Sequence, residues 1–137
     1  MRSVADFYQD CQAVAHAVPP LDVKLADAVS CVLAEDVQAP FNLPVADLSA
    51  CDGYAVRVRD CEGATLETPV TLPVTEEIRA GAVDPAALVP GTAIRIASGA
   101  PMPSGAEAVV SLEFTDHGIA QVALRTAPAS GENIRRR

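Results

Sequence analysis

Eleven prolines and eight glycines are spread along 137 residues, leaving few stretches long enough for an uninterrupted helix. Proline removes a backbone donor and clashes with the preceding helical turn, and glycine weakens helix and strand interiors alike. Between these breaks the large side chains are chiefly Val, Leu and Ile, with 17 Val, two Tyr, three Phe and no Trp. Short strands joined by turns are therefore the expected content. A chain of this length supplies one domain's core.

Helix is expected only near the start. Val4, Phe7, Tyr8, Cys11, Val14, Ala15 and Val18 recur at helical spacing, Ser3 stands as N-cap, Asp6 suits the first turn, and Pro19 and Pro20 stop the helix. From Val23 to Pro40 the pattern predicts a short strand, a helical turn near Asp27–Cys31 capped by Asp27, and a second strand over Leu33–Val37. Ala39-Pro40-Phe41-Asn42-Leu43-Pro44 reads as an extended crossing, which sets a boundary between residues 1–42, a helical segment, and 43–137, a β-rich lobe.

The second lobe opens with Leu48-Ser49-Ala50-Cys51-Asp52-Gly53-Tyr54-Ala55-Val56. Gly53 permits positive φ and a sharp reversal, after which Tyr54, Val56 and Val58 alternate with Ala55, Arg57 and Arg59 as in a half-buried strand. Asp52 is either a turn residue capping its own backbone or a carboxylate presented for chemistry. Further strands are expected over Val70–Val74, pushed to an edge by Pro73, and over Thr92–Ile96. A hairpin of Ala108–Phe114 with Ile119–Arg125 is expected to turn around Thr115-Asp116-His117-Gly118, with His117 a loop residue. Between two strands, Ala97-Ser98-Gly99-Ala100-Pro101-Met102-Pro103-Ser104-Gly105-Ala106 is either a rigid connection or an oxyanion loop. In the second case the Ser98 hydroxyl and N–H groups turned by Gly99 would converge on the ligand.

Ten basic residues against 18 acidic ones argue against nucleic acid or an anionic membrane as partner. Three of the ten are Arg135, Arg136 and Arg137, read as a solvated end or an anion site. Cys11, Cys31, Cys51 and Cys61 form no C-x-x-C pair and lie at no ligand spacing from His16 or His117, so free thiols are expected rather than zinc. No stretch resembles a signal peptide or a membrane span, which points to the cytoplasm.

Taken together, "DLSACDGYAVR", "IRIASGAPMPSGAEAVVSLE" and "SGENIRRR" resemble, in order and spacing, successive motifs of the molybdopterin molybdenumtransferases, the MoeA and gephyrin E-domain family. "LAEDVQAPFNLP" is similar to what precedes the first motif there, so the resemblance covers essentially the whole chain. It departs at Leu48, where many relatives have Asn, and at Cys51, where many have Met or Lys.

The resemblance implies an α+β, predominantly β fold with curled and bifurcated sheets and N-terminal helices. It also implies the front third of an enzyme that inserts molybdate into adenylylated molybdopterin, with loosely held Mg²⁺, as a homodimer. Asp52 and Ser98 would be catalytic, with Asp52 a Mg²⁺ ligand or a base. Ser49, Gly53, Gly99, Arg135, Arg136 and Arg137 would contact substrate. A non-catalytic binding or scaffold module of the same family is the alternative. On either reading the isolated chain is expected to be inactive, its first lobe less ordered, and its arginine end a mobile tail.

Overall fold

The computed structural model describes residues 2–137, which fall into two units, one running to Ala39 and the other Pro40–Arg137. In the first unit, helix α1 spans Val4–Val14. Asp6 N–H donates to Ser3 Oγ at 3.1 Å and Ser3 N–H to Asp6 Oδ2 at 3.1 Å, so the shorter aspartate completes a capping box in place of Glu or Gln. The helix stops at Val14 with Ala15 extended, short of the Val18 to which the apolar spacing runs. Its apolar residues Val4, Phe7, Tyr8 and Val14 are exposed.

Two expectations in this unit fail. Asp27 closes a single 3-10 turn, Leu25–Asp27, and does not cap it, since the cap position is Lys24 without a side-chain hydrogen bond. No strand forms at Val23 or over 33–37, because a strand needs a ladder partner and none lies among the described residues of this unit. The expected helices reduce to α1 and that turn.

The second unit holds all the strands: β1 Leu48–Ser49, β2 Gly53–Val56, β3 Val70–Ile78, β4 Ala93–Ile96, β5 Ala108–Ser111, β6 Gln121–Leu124 and β7 Ile134–Arg135. Five of them form a curled sheet in the order β5-β2-β4-β3-β6, while β1 pairs with β7. Alternation gives the sheet two apolar faces. Tyr54, Val56, Leu72, Ala93, Val110 and Leu124 pack on one, and Ala55, Ile78, Ile94, Ile96 and Val109 on the other. The β content is what the sequence pattern leads one to expect, and the curl is what the resemblance implies.

Gly53 does not reverse the chain through positive φ; it is the first residue of β2, paired with Ile96 on one side and Ser111 on the other. Its lack of a side chain answers a packing demand, since a Cβ there would run into the Val110 carbonyl oxygen and lie 2.9 Å from Val109 Cγ1. The strand around Pro73 has a ladder partner on one side only, as expected of an edge, but it is longer than expected. It runs on to Ile78 and changes partners midway, pairing with β6 over Val70–Pro73 and, in parallel, with β4 over Val74–Ile78. Pro73, which has no N–H to give, stands where the ladder passes from one side to the other, and there the sheet forks.

β5 and β6 form no hairpin, because they lie at opposite edges of the sheet. The chain between them crosses through the 3-10 turn Leu112–Phe114 and the Thr115–Gly118 loop. The loop is held by the buried Tyr54, whose hydroxyl donates to the Gly118 carbonyl at 2.9 Å, and by Asp116 Oδ1, which accepts from Gly118 N–H at 3.1 Å and Ala123 N–H at 2.9 Å. Those N–H groups hold the Asp116 carboxyl below its ordinary range. His117 sits in the same loop at φ 59°.

All four cysteines are free: Cys11 and Cys31 exposed, Cys51 half-buried, Cys61 buried, with burial pushing the Cys61 thiol up to about 11. In the folded protein at pH 8, iodoacetamide should therefore label Cys11 and Cys31 quickly and Cys61 only after denaturant is added, as read by intact mass. Gly53→Ala should destabilise the second unit by about 3 kcal/mol or more in urea titration, against about 1–2 kcal/mol for Gly99→Ala. The difference arises because Gly99 needs its φ of +76° but has open space at its Cβ position.

Candidate functional site

Three stretches far apart in sequence meet along β1. Ser49 lies between the other two: its N–H donates to Ala100 O at 2.9 Å, its carbonyl accepts from Gly99 N–H at 2.9 Å, and across the β1–β7 ladder it faces Ile134. Next to it, Ala50 N–H donates to Asn133 O at 2.9 Å. Ser49 is 2% exposed and its hydroxyl is given to Cys51 O at 2.6 Å, so it shapes the site from beneath. Gly53 is likewise buried.

Asp52 ends this stretch exposed, at the mouth of a cleft of about 190 Å³ lined by Glu77, Arg95 and Leu112 among others. Its Oδ1 accepts from Ser98 N–H at 2.7 Å, and its carbonyl accepts from Leu112 N–H at 3.1 Å. Among the described residues Oδ2 has no protein hydrogen-bond partner. Asp52 thus caps a neighbouring loop, rather than its own turn, while keeping one oxygen free.

The loop N–H groups do not converge on open space. Ser98 N–H is taken by Asp52, Gly99 N–H by Ser49 and Ala100 N–H by Ala97 O at 3.0 Å. What remains for a ligand is the Ser98 hydroxyl, exposed and held only by a 3.4 Å bond to Ala50 O. Gly99 supplies the turn, at φ +76°.

The arginine end is no mobile tail. Arg135 pairs with Leu48 in β7, Arg136 Nη1 donates to Asp47 Oδ2 at 2.6 Å, and Arg137 N–H donates to Asp47 Oδ1 at 2.9 Å. Backbone pairing and a two-oxygen clasp replace the solvated run that its charge suggested. The Arg137 N–H first and the Arg136 guanidinium second hold the Asp47 carboxyl below its ordinary range. A lowered folded value means the clasp contributes fully above the unfolded carboxyl's value, near pH ~4, and is lost as pH falls through the folded one.

Asp47, Glu77 and Arg95 carry no assignment in the sequence reading. Asp47 and Arg95 lie inside the quoted stretches, so the signal was present. Only the fold brings Glu77 in, opposite Arg95 in the β3–β4 ladder.

Among the described residues no three His, Cys, Asp or Glu side chains are grouped as a metal site. Mg²⁺ is commonly held by one or two carboxylates together with water and substrate phosphates, and the free oxygen of Asp52 fits that shared kind of binding. Asp52→Asn keeps an acceptor for Ser98 N–H whereas Asp52→Ala does not. The Ser98 amide should stay slow to exchange in the first variant and speed up roughly tenfold in the second by hydrogen-exchange NMR, with thermal midpoints within a few degrees of the parent.

Residues 2–137 match the family described as MoeA N-terminal region (domain I and II). The chain is 48% identical over 136 residues to molybdopterin molybdenumtransferase 2 of Mycobacterium tuberculosis (strain ATCC 25618 / H37Rv), covering 99% of this chain and 34% of that protein. It is 40% identical over 116 residues to the molybdopterin molybdenumtransferase of Bacillus subtilis (strain 168), covering 82% and 27%. A crystal structure of the molybdopterin biosynthesis moeA protein from Pyrococcus horikoshii OT3 superposes with a TM-score of 0.77 at 37% identity, over 83% of this chain and 30% of that one. The chain therefore spans about a third of the length of these relatives. Among the described residues no helix is long and apolar enough to cross a membrane.

Proposed function

The chain belongs to the MoeA family through its N-terminal region, and from that premise we propose that it forms part of the site at which molybdate is inserted into adenylylated molybdopterin with release of AMP. The observation that carries the reading is the main-chain junction joining Asp52, Ser98 and the arginine end. Both reactants are oxyanions, and the residues divide the work. Arginines pair with oxyanions through a fixed fork of donors, and the Ser98 hydroxyl offers one more donor. Asp52, its orientation fixed by Ser98 N–H, turns its free oxygen outward to hold Mg²⁺ or to accept a proton. A bound Mg²⁺ would neutralise phosphate charge as AMP leaves.

The remaining ligands come from parts of the relatives that this chain does not span, including, in a homodimer, the second subunit. The isolated chain is accordingly proposed to be inactive. The reading also places the protein in the cytoplasm, with neither nucleic acid nor membrane as partner.

The test is a chimera in which this chain replaces the matching first third of the M. tuberculosis molybdopterin molybdenumtransferase 2. Supplied with adenylylated molybdopterin, molybdate and Mg²⁺, the chimera should release AMP and form molybdenum cofactor. Its Asp52→Asn form should fall at least about a hundredfold, the usual scale for losing a group used in proton transfer or charge stabilisation. Ser98→Thr should be tolerated, whereas Ser98→Ala should need more molybdate for the same rate. A folded chimera without turnover would favour a scaffold module, and full activity in Asp52→Asn would remove the catalytic role of Asp52.

A further inference from the structure

Asp47 touches two of the three stretches while belonging to the other. Its carbonyl accepts from Met102 N–H at 2.9 Å, its Oδ1 from Arg137 N–H at 2.9 Å, and its Oδ2 from Arg136 Nη1 at 2.6 Å. One oxygen therefore fixes where the strand end lies, and the other fixes the direction of a guanidinium. Gly131 leaves room on the far side: at φ +82°, a Cβ there would stand 3.4 Å from Arg136 Nη2. Arg136 is nevertheless 62% exposed, and only one of its donors is used on Asp47.

We propose that Asp47 is a positioning residue for anion recognition, holding Arg136 so that the unused edge of its guanidinium meets an oxyanion of the molybdate or phosphate class. The inference rests on the molybdate-insertion reading for the identity of that anion. Two effects of Asp47 oppose each other. As a negative charge it repels an incoming anion and competes for the arginine; as an anchor it removes in advance the rotamer freedom that a long side chain otherwise loses on binding. The anchor is expected to dominate because Oδ1 and Oδ2 bind different groups of the same chain end. Arg136 is thereby held at its guanidinium and through the amide of the residue that follows it.

The sign of the effect decides between them. Orthomolybdate is titrated into the 137-residue chain in 0.15 M salt, following the arginine side-chain and Arg137 amide signals by NMR, for the parent, Asp47→Asn, Arg136→Gln and the double variant. Asp47→Asn, with a single acceptor for two donors, should bind molybdate about fivefold more weakly while its circular-dichroism melting midpoint moves little. Arg136→Gln should lose the response, and adding Asp47→Asn to it should cost nothing further, since the first residue acts through the second. Equal or tighter binding in Asp47→Asn, additive losses in the double variant, or no molybdate-dependent shift at Arg136 in the parent would each overturn the proposal. If these binding results hold while the chimera is folded and inactive, the proposed function fails and the positioning role stands. An active chimera with unchanged binding in Asp47→Asn gives the converse.

Discussion

The second unit depends on the absence of one side chain. β2 is buried on both faces and hydrogen-bonded on both edges, and at Gly53 the Val110 carbonyl fills the space a Cβ would need. That close approach sets β5 against β2 in register from Gly53↔Ser111 to Val56↔Ala108. With β5 in place, its outer edge binds the segment leading to the arginines: Gly131 N–H to Glu107 O at 2.8 Å, Val109 N–H to Glu132 O at 3.0 Å, and the Asn133 side chain to Val109 O at 2.9 Å. The same segment then delivers Ile134 and Arg135 to β1. Packing at one glycine is thus carried, through successive ladders, to the place where the charged residues meet.

Where sequence reading succeeded, the information was local. Ser3 and Asp6 define a helix start through contacts within one turn, and the Ile-Arg-Ile of β4 alternates because a strand does. Its failures concern what pairs with what. A five-residue window reads Pro73 as an edge residue but does not show that it sits at the fork of a nine-residue strand. The segments on either side of Thr115–Gly118 have the look of a hairpin, but β2 and β3 offer them better partners elsewhere. Two supposed strands before Pro40 had adequate composition and no neighbour among the described residues.

Legibility of the candidate site divides the same way. Asp52, Ser98 and the arginines stand out as residue types able to handle oxyanions, and their motifs carry a family likeness. Their geometry was not legible, because apart from the Asp52 carboxylate's bond to Ser98 N–H it consists of main-chain bonds between stretches about 40 residues apart or more, which leave no mark on side-chain identity. Asp47 is the clearest case: its motif was visible, but nothing about an aspartate five positions before another marks it as the clasp for arginines ninety residues away. The clasp also matters for charge. A chain of net charge −8 repels oxyanions as a whole, so attraction depends on concentrating and orienting its few cations at one place.

Because β1 is gripped from both sides by its backbone, through Ala100 and Gly99 on one flank and Asn133, Ile134 and Arg135 on the other, the junction reads chain length more strictly than it reads side chains. The side chains of Leu48 and Cys51 can accordingly change without moving a ladder bond. Insertion or deletion of a single residue between Asp47 and Asp52 is a different matter. It would turn every later side chain to the opposite face and part the carboxylates from their partners. Along this segment, tolerated evolutionary change should consist of substitutions at fixed spacing, with length variation confined to the loops outside it.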